Sequence, residues 1–363
     1  MSSEDESIYY QASMNAKVSS NGYTYPALTQ PYDVRFLVLD RSKGTSPITG
    51  TIVPAALLGA SAYKALSYRW GVDDHPHPIN IDGFSVKIKH NLWLALERLL
   101  YMDEDVPLWI DALCINQDNE IEKTEQVKRM DVIYRRASEV YAWLGPEDEY
   151  SDGAVQELTS LSQFLLSQAS FVGDVDPASF DAVQNLNTFY EALGRPNDDS
   201  RYLGLSYIRH LMERPWWRRV WVVQEVILAQ RVTMMCGRHE VPFTDVLVVL
   251  MFLKRLFSAI PQDIEPLYSD VLISIRRPLH LIKLAEASQQ LQVPMFPLGE
   301  ILDVFDNANN LEASDQRDLC WGLLGLVRPD QRQLITVDYA NVRWEDVLWQ
   351  IETAKKMMTR GEV

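Results

Sequence analysis

The chain has 363 residues, and its hydrophobic fraction of 47% is enough for a sizeable buried core. Its formal net charge of -16 argues against a nucleic-acid partner and against an anionic membrane surface, because both need a basic face. The three cysteines, Cys114, Cys236 and Cys320, are too widely spaced for a metal site or a disulfide framework. We expect them to be small buried side chains in a reducing compartment.

The amino-terminal part of the chain is polar, and residues 1–31 are predicted to form a mobile tail. Met1–Ser7 does not show the basic and then apolar pattern of a secretory signal. No stretch reaches the ~18 apolar residues that a membrane helix needs. These features predict a cytoplasmic protein without a membrane partner.

Strands and helices alternate through the first part of the chain. Short apolar runs predict strands over Val34–Leu39, Tyr63–Tyr68, Val106–Ile110, Glu139–Leu144 and Arg231–Cys236. Other patterns predict a hairpin over Ile79–Ile88 and helices over Asn91–Tyr101 and Asn119–Ala137. Because this order makes βαβ units, we expect an α/β fold with a mostly parallel sheet flanked by helices.

The second part of the chain is predicted to be mainly helical. An acidic segment over about residues 147–205 interrupts the alternation, and we interpret it as a helical insertion with a loop at Arg195–Ser200. Pro215 can occupy the first turn of a helix, which is predicted to run to about Gln230. Residues 241–363 are predicted to form a helical carboxy-terminal region packed on the core.

Two loops that follow buried strands carry candidate binding residues. The loop Ser67–Gly71 and the loop that begins at Asp111 both fall at the carboxyl edge of the sheet, where open α/β folds bind ligands. Arg69 can contact a diphosphate with two hydrogen bonds, Trp70 can stack on a base, and Asp111 can accept hydrogen bonds from a ribose. The alternative is that Trp70 packs in the core and Arg69 pairs with an acid.

Other polar and aromatic residues are given mainly structural roles. Asn116 and Gln117 are expected to fix a turn and cap the next helix. Trp217 is expected to anchor the core, while Arg218 and Arg219 are candidates for phosphate contacts.

Glu225 is the candidate catalytic residue. It is a lone carboxylate in an otherwise apolar helical segment, and burying an unpaired charge is costly, so it must be paired or functional. Helical spacing would place Arg218 and Trp221 on the same face. The alternative is a carboxylate locked to an arginine of a neighbouring element.

Several site classes find no support. The run from Asp73 to His77 contains two histidines, but it lacks a third convincing ligand, so no metal is expected. The chain has no nucleophile elbow, no Walker loop and no dinucleotide-binding glycine pattern after a strand. No cofactor is expected either.

Three segments carry a resemblance to a known family. They are YKALSYRWG (63–71), the block from LWIDALCINQDN to VYAWLG (108–145), and RPWWRRVWVVQEVILA (214–229). In this order and spacing they resemble the signature blocks of the heterokaryon-incompatibility (HET) domain of fungi, which would cover residues 32–240. The segment Asp315–Tyr339 resembles a block that often follows. This resemblance implies a role in nonself recognition and regulated cell death.

A weaker resemblance, to TIR domains, implies a mechanism and a flavodoxin-like sheet. Many TIR domains cleave NAD⁺ with a glutamate that follows a tryptophan by four residues, as Glu225 follows Trp221. The resemblance therefore implies an NAD⁺ glycohydrolase that releases nicotinamide, with NAD⁺ as substrate and Glu225 as the catalytic carboxylate. The substrate-binding residues would be Ser67, Arg69, Trp70, Gly71, Asp111, Arg218 and Trp221.

Two further functions remain open. A non-catalytic scaffold would act in the same death pathway through self-association and protein partners, and Glu225 would then be closed off in an ion pair. A small-molecule sensor would keep the cleft without turnover. Catalysis requires Glu225 in an open cleft beside the Ser67–Gly71 loop.

Overall fold

The computed structural model describes residues 22–43, 47–71, 75–102, 105–167, 182–192, 198–259, 295–307 and 311–361, with a few residues between 270 and 285. Most of the predicted tail, residues 1–21, lies outside the described residues, as do Asp73 and Asp74. The chain divides into two compact units. The first takes the described residues of Met1–Trp143, Arg219–Arg231 and Leu291–Val363, and the second those of Leu144–Arg218 and Val232–Gln290.

The strands and helices are numbered in chain order. The strands are β1 (Asp33–Leu39), β2 (Thr49–Ala56), β3 (Lys64–Tyr68), β4 (His77–Ile81), β5 (Phe84–Ile88), β6 (Leu108–Trp109), β7 (Glu139–Trp143), β8 (Val232–Cys236) and β9 (His239–Pro242). The α-helices are α1 (His90–Leu100), α2 (Asp111–Cys114), α3 (Glu120–Val127), α4 (Met130–Arg136), α5 (Ser151–Ser167), α6 (Ala182–Ala192), α7 (Asp198–Met212), α8 (Val222–Ile227), α9 (Phe243–Ala259), α10 (Leu298–Asn307), α11 (Asp318–Leu324), α12 (Pro329–Arg332) and α13 (Trp344–Thr359).

The first unit is an α/β structure built on a mixed sheet. Its strands lie in the order β5-β4-β2-β1-β6-β3-β7. β6, β3 and β7 are parallel, whereas β1 is antiparallel to both β2 and β6, and β4 is antiparallel to β5. The expectation of a mostly parallel sheet is therefore wrong. The antiparallel pairs come from β1, which is antiparallel to both neighbours, and from the β4–β5 hairpin. β2 was not predicted, because Gly50 and Pro54 are poor strand formers.

The three parallel strands hold the centre of this sheet. Every residue of β3 and β7 is buried, as expected for parallel strands covered on both faces. The two charged side chains there are paired, with Lys64 Nζ 2.9 Å from Glu139 Oε2. Helices connect the three strands, which confirms the βαβ units predicted between Tyr63 and Leu144.

The predicted hairpin is confirmed as β4 and β5. Asp82 and Gly83 form its turn with φ angles of 53° and 86°. Positive φ at both central positions matches the twist of the flanking strands, and glycine adopts it without steric cost.

The helix predicted over Asn119–Ala137 is divided into α3 and α4. Asn119 caps α3, because its side chain accepts a hydrogen bond from the Glu122 backbone N–H at 3.3 Å. The Glu122 carboxylate does not return to the helix start, because it binds Arg35 of β1. Its Oε1 lies 2.5 Å from Arg35 Nη1, and its Oε2 lies 3.1 Å from Nη2, with each side chain only 1% exposed.

Arg35 also holds the chain that precedes β1. Its Nε donates to the carbonyl of Pro26 at 2.7 Å, and its guanidinium lies over the Tyr25 ring. Tyr23, Tyr25 and Leu28 are buried. The last part of the predicted tail is therefore packed rather than free.

The second unit contains α5, α6, α7 and α9 with the β8–β9 hairpin. The helix expected within the acidic insertion is confirmed by α5. The loop predicted at Arg195–Ser200 is wrong at its end, because α7 begins at Asp198. Cys236, like Cys114 and Cys320 of the first unit, is a buried free thiol, as predicted.

The helix predicted from Pro215 to Gln230 is broken. A 3-10 turn covers Pro215–Arg218, and α8 begins only at Val222. The helical pattern predicted for residues 241–363 is confirmed where the structure describes them, by α9 to α13. Over the part of the chain that the structure describes, no helix is both long and apolar enough to cross a membrane.

Candidate functional site

A cleft of about 270 Å³ lies in the first unit at the carboxyl ends of β3 and β6. Its walls combine cations, acids and aromatic rings. The cations are Arg69, Lys123 and Arg219, the acids are Asp111, Glu312, Asp315 and Asp318, and the aromatic residues are Trp70, Trp221 and Tyr339. The prediction that the loops after β3 and β6 share one edge of the sheet is confirmed.

Asp111 is the carboxylate that the cleft presents beside the β3 loop. Its Oδ2 accepts a hydrogen bond from Trp70 Nε1 at 3.0 Å, and its Oδ1 accepts one from the Ala112 backbone N–H at 2.7 Å. Burial raises the pKa of this carboxyl, although the nearby Arg219 and the Trp70 hydrogen bond oppose the shift. The Trp70 indole is thereby fixed against Asp111, with its ring on the cleft wall.

Arg219 joins the cleft to the interior. Its Nη1 donates to the carbonyl of Tyr68, the last residue of β3. Its Nη2 lies 3.8 Å from Asp111 Oδ2, and its Nη1 lies 3.8 Å from Glu225 Oε1. One guanidinium therefore lies between the acid of the cleft and the acid behind it.

Glu225 has no exposed surface and does not line the cleft. The Ser67 hydroxyl of β3, which is also fully buried, donates to its Oε2. The expectation of an open cleft around Glu225 is therefore wrong, although the carboxylate does face the end of β3. The geometry instead matches the predicted alternative, in which Glu225 pairs with an arginine, here Arg219.

Burial raises the pKa of Glu225 to about 7, while Arg219 and the Ser67 hydrogen bond act in the opposite direction. At neutral pH its protonated and ionised forms are therefore similarly populated. This property suits a group that exchanges protons, but it also follows from any poorly paired buried carboxyl.

The predicted site residues divide into three groups. Arg69, Trp70, Gly71, Asp111 and Trp221 all line the cleft. Ser67 and Glu225 lie behind it. Arg218 belongs to the second unit and is not among the lining residues.

Arg219 takes the position expected for Arg218, and the broken helix explains why. Helical spacing from Glu225 selects Arg218 only if one helix runs through both residues. The 3-10 turn ends at Arg218 and α8 begins at Val222, so the spacing does not hold across the break. The site prediction is wrong at this residue.

The wall opposite the strand loops comes from the carboxy-terminal part of the first unit. Asp318 at the start of α11 accepts hydrogen bonds from the Tyr339 hydroxyl and from the Trp221 side chain. Burial raises the pKa of Asp318. Both Asp318 and Tyr339 lie in the block that resembled a family segment, which was the only sequence signal for them.

Cations at the mouth of the cleft already have internal contacts. Arg69 Nη2 lies 3.7 Å from Glu312 Oε2, and both side chains are more than two-fifths exposed, at 42% and 48%. Lys123 Nζ lies 3.9 Å from the centre of the Tyr339 ring. The Arg69–Glu312 contact is long and exposed, so a ligand can replace it.

The turn predicted for Asn116 and Gln117 is confirmed, but the cap of the next helix is Asn119. Gln117 Nε2 donates to the Asp111 carbonyl at 3.0 Å, and Asn116 Oδ1 accepts from the Asp118 backbone N–H at 3.2 Å. Trp217 is fully buried, as expected for a core anchor. Within the described residues, no three His, Cys, Asp or Glu side chains converge to hold a metal ion.

The sequence was compared with known proteins. Residues 63–225 match the profile of the family described as "Heterokaryon incompatibility protein (HET)". A curated relative, "Heterokaryon incompatibility protein 6, OR allele" of Neurospora crassa, is 28% identical over 325 residues, or 79% of this chain. The match spans 46% of that relative, so this chain corresponds to about half its length. No solved structure matches significantly, and the TIR resemblance therefore stays a prediction.

The profile match begins at the buried strand β3 and ends at Glu225, so it spans the elements that form the β3 edge of the cleft. It contains the first two sequence blocks of the resemblance in full, and the third block, residues 214–229, as far as Glu225. Over residues 63–225, this chain is therefore similar to the heterokaryon-incompatibility (HET) domain family.

Proposed function

We propose that this chain is a cytoplasmic effector of heterokaryon incompatibility, and that its cleft binds NAD⁺ and cleaves the bond between nicotinamide and ribose. The first part rests on the family and on the name of the Neurospora crassa relative. The second part rests on one observation. A cleft at the carboxyl edge of parallel strands carries an aromatic plate, a carboxylate and an arginine that leads to a second carboxyl with a pKa of about 7.

The mixed charge of the cleft supports this ligand class. Three cations and four acids line it, so a simple polyanion would meet repulsion as well as attraction. NAD⁺ carries both signs, because its pyridinium ring is cationic and its diphosphate is anionic. The pyridinium suits the Trp70 ring and the Asp111 carboxylate, and the diphosphate suits Arg69 and Lys123.

The order of the parallel strands also supports the proposal. β6, β3 and β7 are the second, first and third parallel strands along the chain. The flavodoxin-like order begins in this way and binds nucleotides at the carboxyl ends of its strands. We infer the TIR-like relationship from this order and from the spacing of Trp221 and Glu225.

The reaction requires little from the protein besides charge. Water attacks the ribose carbon and releases one proton to solvent as the bond to the pyridinium nitrogen breaks. Nicotinamide leaves with the bonding electrons as a neutral molecule. The transition state gains oxocarbenium character, which a nearby carboxylate stabilises. In this proposal Asp111 is the carboxylate that faces the ribose, and Glu225 can take part only if Arg219 moves aside and opens the cleft to it.

A non-catalytic scaffold is the second candidate, and the burial of Glu225 favours it. An acid with 0% exposure, held between Ser67 and Arg219, also fits a purely structural ion pair. Such a protein would act through self-association and protein partners of the same death pathway.

Nicotinamide release distinguishes the two candidates. Purified full chain would be incubated with NAD⁺, with and without a crowding agent, and the products separated by chromatography. The enzyme proposal expects release by the wild type and loss of release in Glu225→Gln and Asp111→Asn. Folded protein that releases nothing under either condition would favour the scaffold, and equal release by Glu225→Gln would remove that residue from the reaction.

A further inference from the structure

A second cavity, of about 350 Å³, lies in the first unit apart from the cleft. Its apolar wall includes Val127, Leu324, Pro329, Ile335 and Val337. Its polar wall includes Lys128, Asp131, Gln224, Trp321 and Arg332. This volume, and a lining that is mostly apolar with a few polar groups, are typical of small-molecule sites.

Three buried nitrogen donors on residues of this wall have no hydrogen-bond partner among the described residues. They are Gln224 Nε2, Trp321 Nε1 and Arg332 Nε. Gln224 is 1% exposed and Trp321 is 2% exposed. Since nearly all buried polar groups in folded proteins are hydrogen-bonded, three orphan donors around one cavity are unusual. All three are N–H groups, so each needs an acceptor atom.

The other hydrogen-bonding groups of the wall are already used. Arg332 Nη1 donates to Asp131 Oδ2 at 3.0 Å, and its Nη2 donates to the carbonyls of Gly325 and Val327 at 3.1 and 3.2 Å. Lys128 is half-exposed and pairs with Glu125. The polar wall thus contributes two cations and one acid that is already paired. It is locally positive in a chain of net charge -16.

We propose that this cavity is a binding site for a small organic carboxylate with an apolar body. The carboxylate would supply the acceptor oxygens that the orphan donors lack, and Arg332 and Lys128 would favour its charge. The apolar body would lie against Leu324, Pro329 and Ile335. None of the three donor atoms has exposed surface, so the Gln224 amide, the Trp321 ring and the Arg332 guanidinium must each turn toward the ligand. The terminal torsion of glutamine is soft enough for this rotation.

The site is separate from the cleft, but it is built on the same helices. Val127 contributes to both walls. On α11, Asp318 faces the cleft and Trp321, one turn later, faces the cavity. Gln224 lies beside Glu225 in the chain, but only Gln224 lines the cavity. The proposal does not depend on NAD⁺ cleavage, so either can fail without the other.

Calorimetric titration of the full chain with phenylpropionate, and with its uncharged amide, tests the site. We expect saturable binding of the carboxylate in the millimolar range and binding of the amide about tenfold weaker. Gln224→Leu removes one donor with little change of volume, and Trp321→Phe removes another but leaves a smaller ring. Each should weaken carboxylate binding about tenfold. Trp70→Phe, in the cleft, is the matched control and should bind as the wild type does.

Thr336→Phe protects the test from a folding defect. Thr336 lines the cavity but is exposed, so a larger side chain there narrows the cavity without entering the core. This variant should keep the wild-type melting curve and lose binding of the probe. No saturable heat with the wild type, or unchanged affinity in both Gln224→Leu and Thr336→Phe, would overturn the proposal.

Discussion

The Arg219 guanidinium lies 3.8 Å from the Glu225 carboxylate, and the same side chain reaches Asp111 of the cleft at 3.8 Å. The side chain of Arg219 is 14% exposed, whereas that of Glu225 is 0% exposed. The Arg219 side chain therefore separates the buried Glu225 carboxylate from the cleft. A role for Glu225 in NAD⁺ cleavage requires the Arg219 side chain to move, whereas a non-catalytic scaffold does not.

Replacing Arg219 should lower the free energy of unfolding, because Glu225 is then buried without a cation beside it. Arg219→Met leaves the carboxylate without its cation, and breaking a buried pair in this way costs about 3–5 kcal/mol. The loss should be larger above pH 7 than below it, because Glu225 carries its charge only above its pKa of about 7. Urea unfolding at the two pH values measures both effects.

Arg218→Met is the matched control for that experiment. Arg218 is the neighbouring arginine, is only partly buried, and belongs to the other unit. We expect a change of about 1 kcal/mol or less, with no dependence on the ionisation of Glu225. Equal destabilisation by the two variants would contradict the special position of Arg219.

The raised pKa of Glu225 predicts how stability depends on pH. The folded value is about 7 and the ordinary value is 4.5. Between these values the unfolded chain releases the proton while the folded protein retains it, so the folded state binds more protons and its stability falls as pH rises. Below pH 4.5 the contribution is fully present, and it is lost by about pH 7, with a total of about 3 kcal/mol.

Glu225→Gln isolates this contribution. The amide keeps the shape of the side chain but does not titrate, so the pH-dependent difference between variant and wild type should disappear below about pH 4.5 and grow through pH 7 in favour of the variant. The free energy of unfolding from urea titrations at several pH values gives this curve. A constant difference between the two proteins at all pH values would contradict the raised pKa.

The buried pair of Arg35 and Glu122 is expected to fasten the amino-terminal segment to the sheet. Arg35→Met leaves Glu122 buried and unpaired, and should destabilise the first unit by about 3–5 kcal/mol. It should also free Tyr23 and Tyr25, which limited proteolysis would detect as new cleavage before β1. The double variant Arg35→Met/Glu122→Leu should recover most of the lost stability, because it leaves no unpaired charge. No recovery would mean that other contacts of Glu122 dominate.

Local patterns in the sequence predicted the central strands, the hairpin and the carboxyl-edge loops, because those features depend on burial and turn chemistry within a few residues. The sequence did not predict β2, because Gly50 and Pro54 lower its strand propensity and its place in the sheet depends on pairing with β1 and β4. The breaks at Lys128–Arg129 and at Arg219–Trp221 were also missed, because helical spacing continues through both.

In the candidate site, too, the residues set by local sequence patterns were predicted and those set by tertiary packing were not. Trp70 and Asp111 were predicted from strand ends, whereas Asp318 and Tyr339 reach the cleft only through tertiary packing. The burial of Glu225 could not be read from its apolar neighbours, because an apolar helix face lines an open pocket as readily as a closed core. In this chain that face is closed, because Arg219, which follows the 3-10 turn, lies against the Glu225 carboxylate.

Binding of NAD⁺ to the cleft tests the account most directly. Calorimetric titration would use Glu225→Gln protein, so that turnover does not consume the ligand, and Glu225→Gln/Trp70→Ala as the comparison. We predict saturable binding at one site in the first protein and affinity weaker by about tenfold or more in the second, which loses the aromatic plate. Absence of saturable binding in a folded protein, or equal affinity in the two, would contradict the assignment of this cleft to NAD⁺.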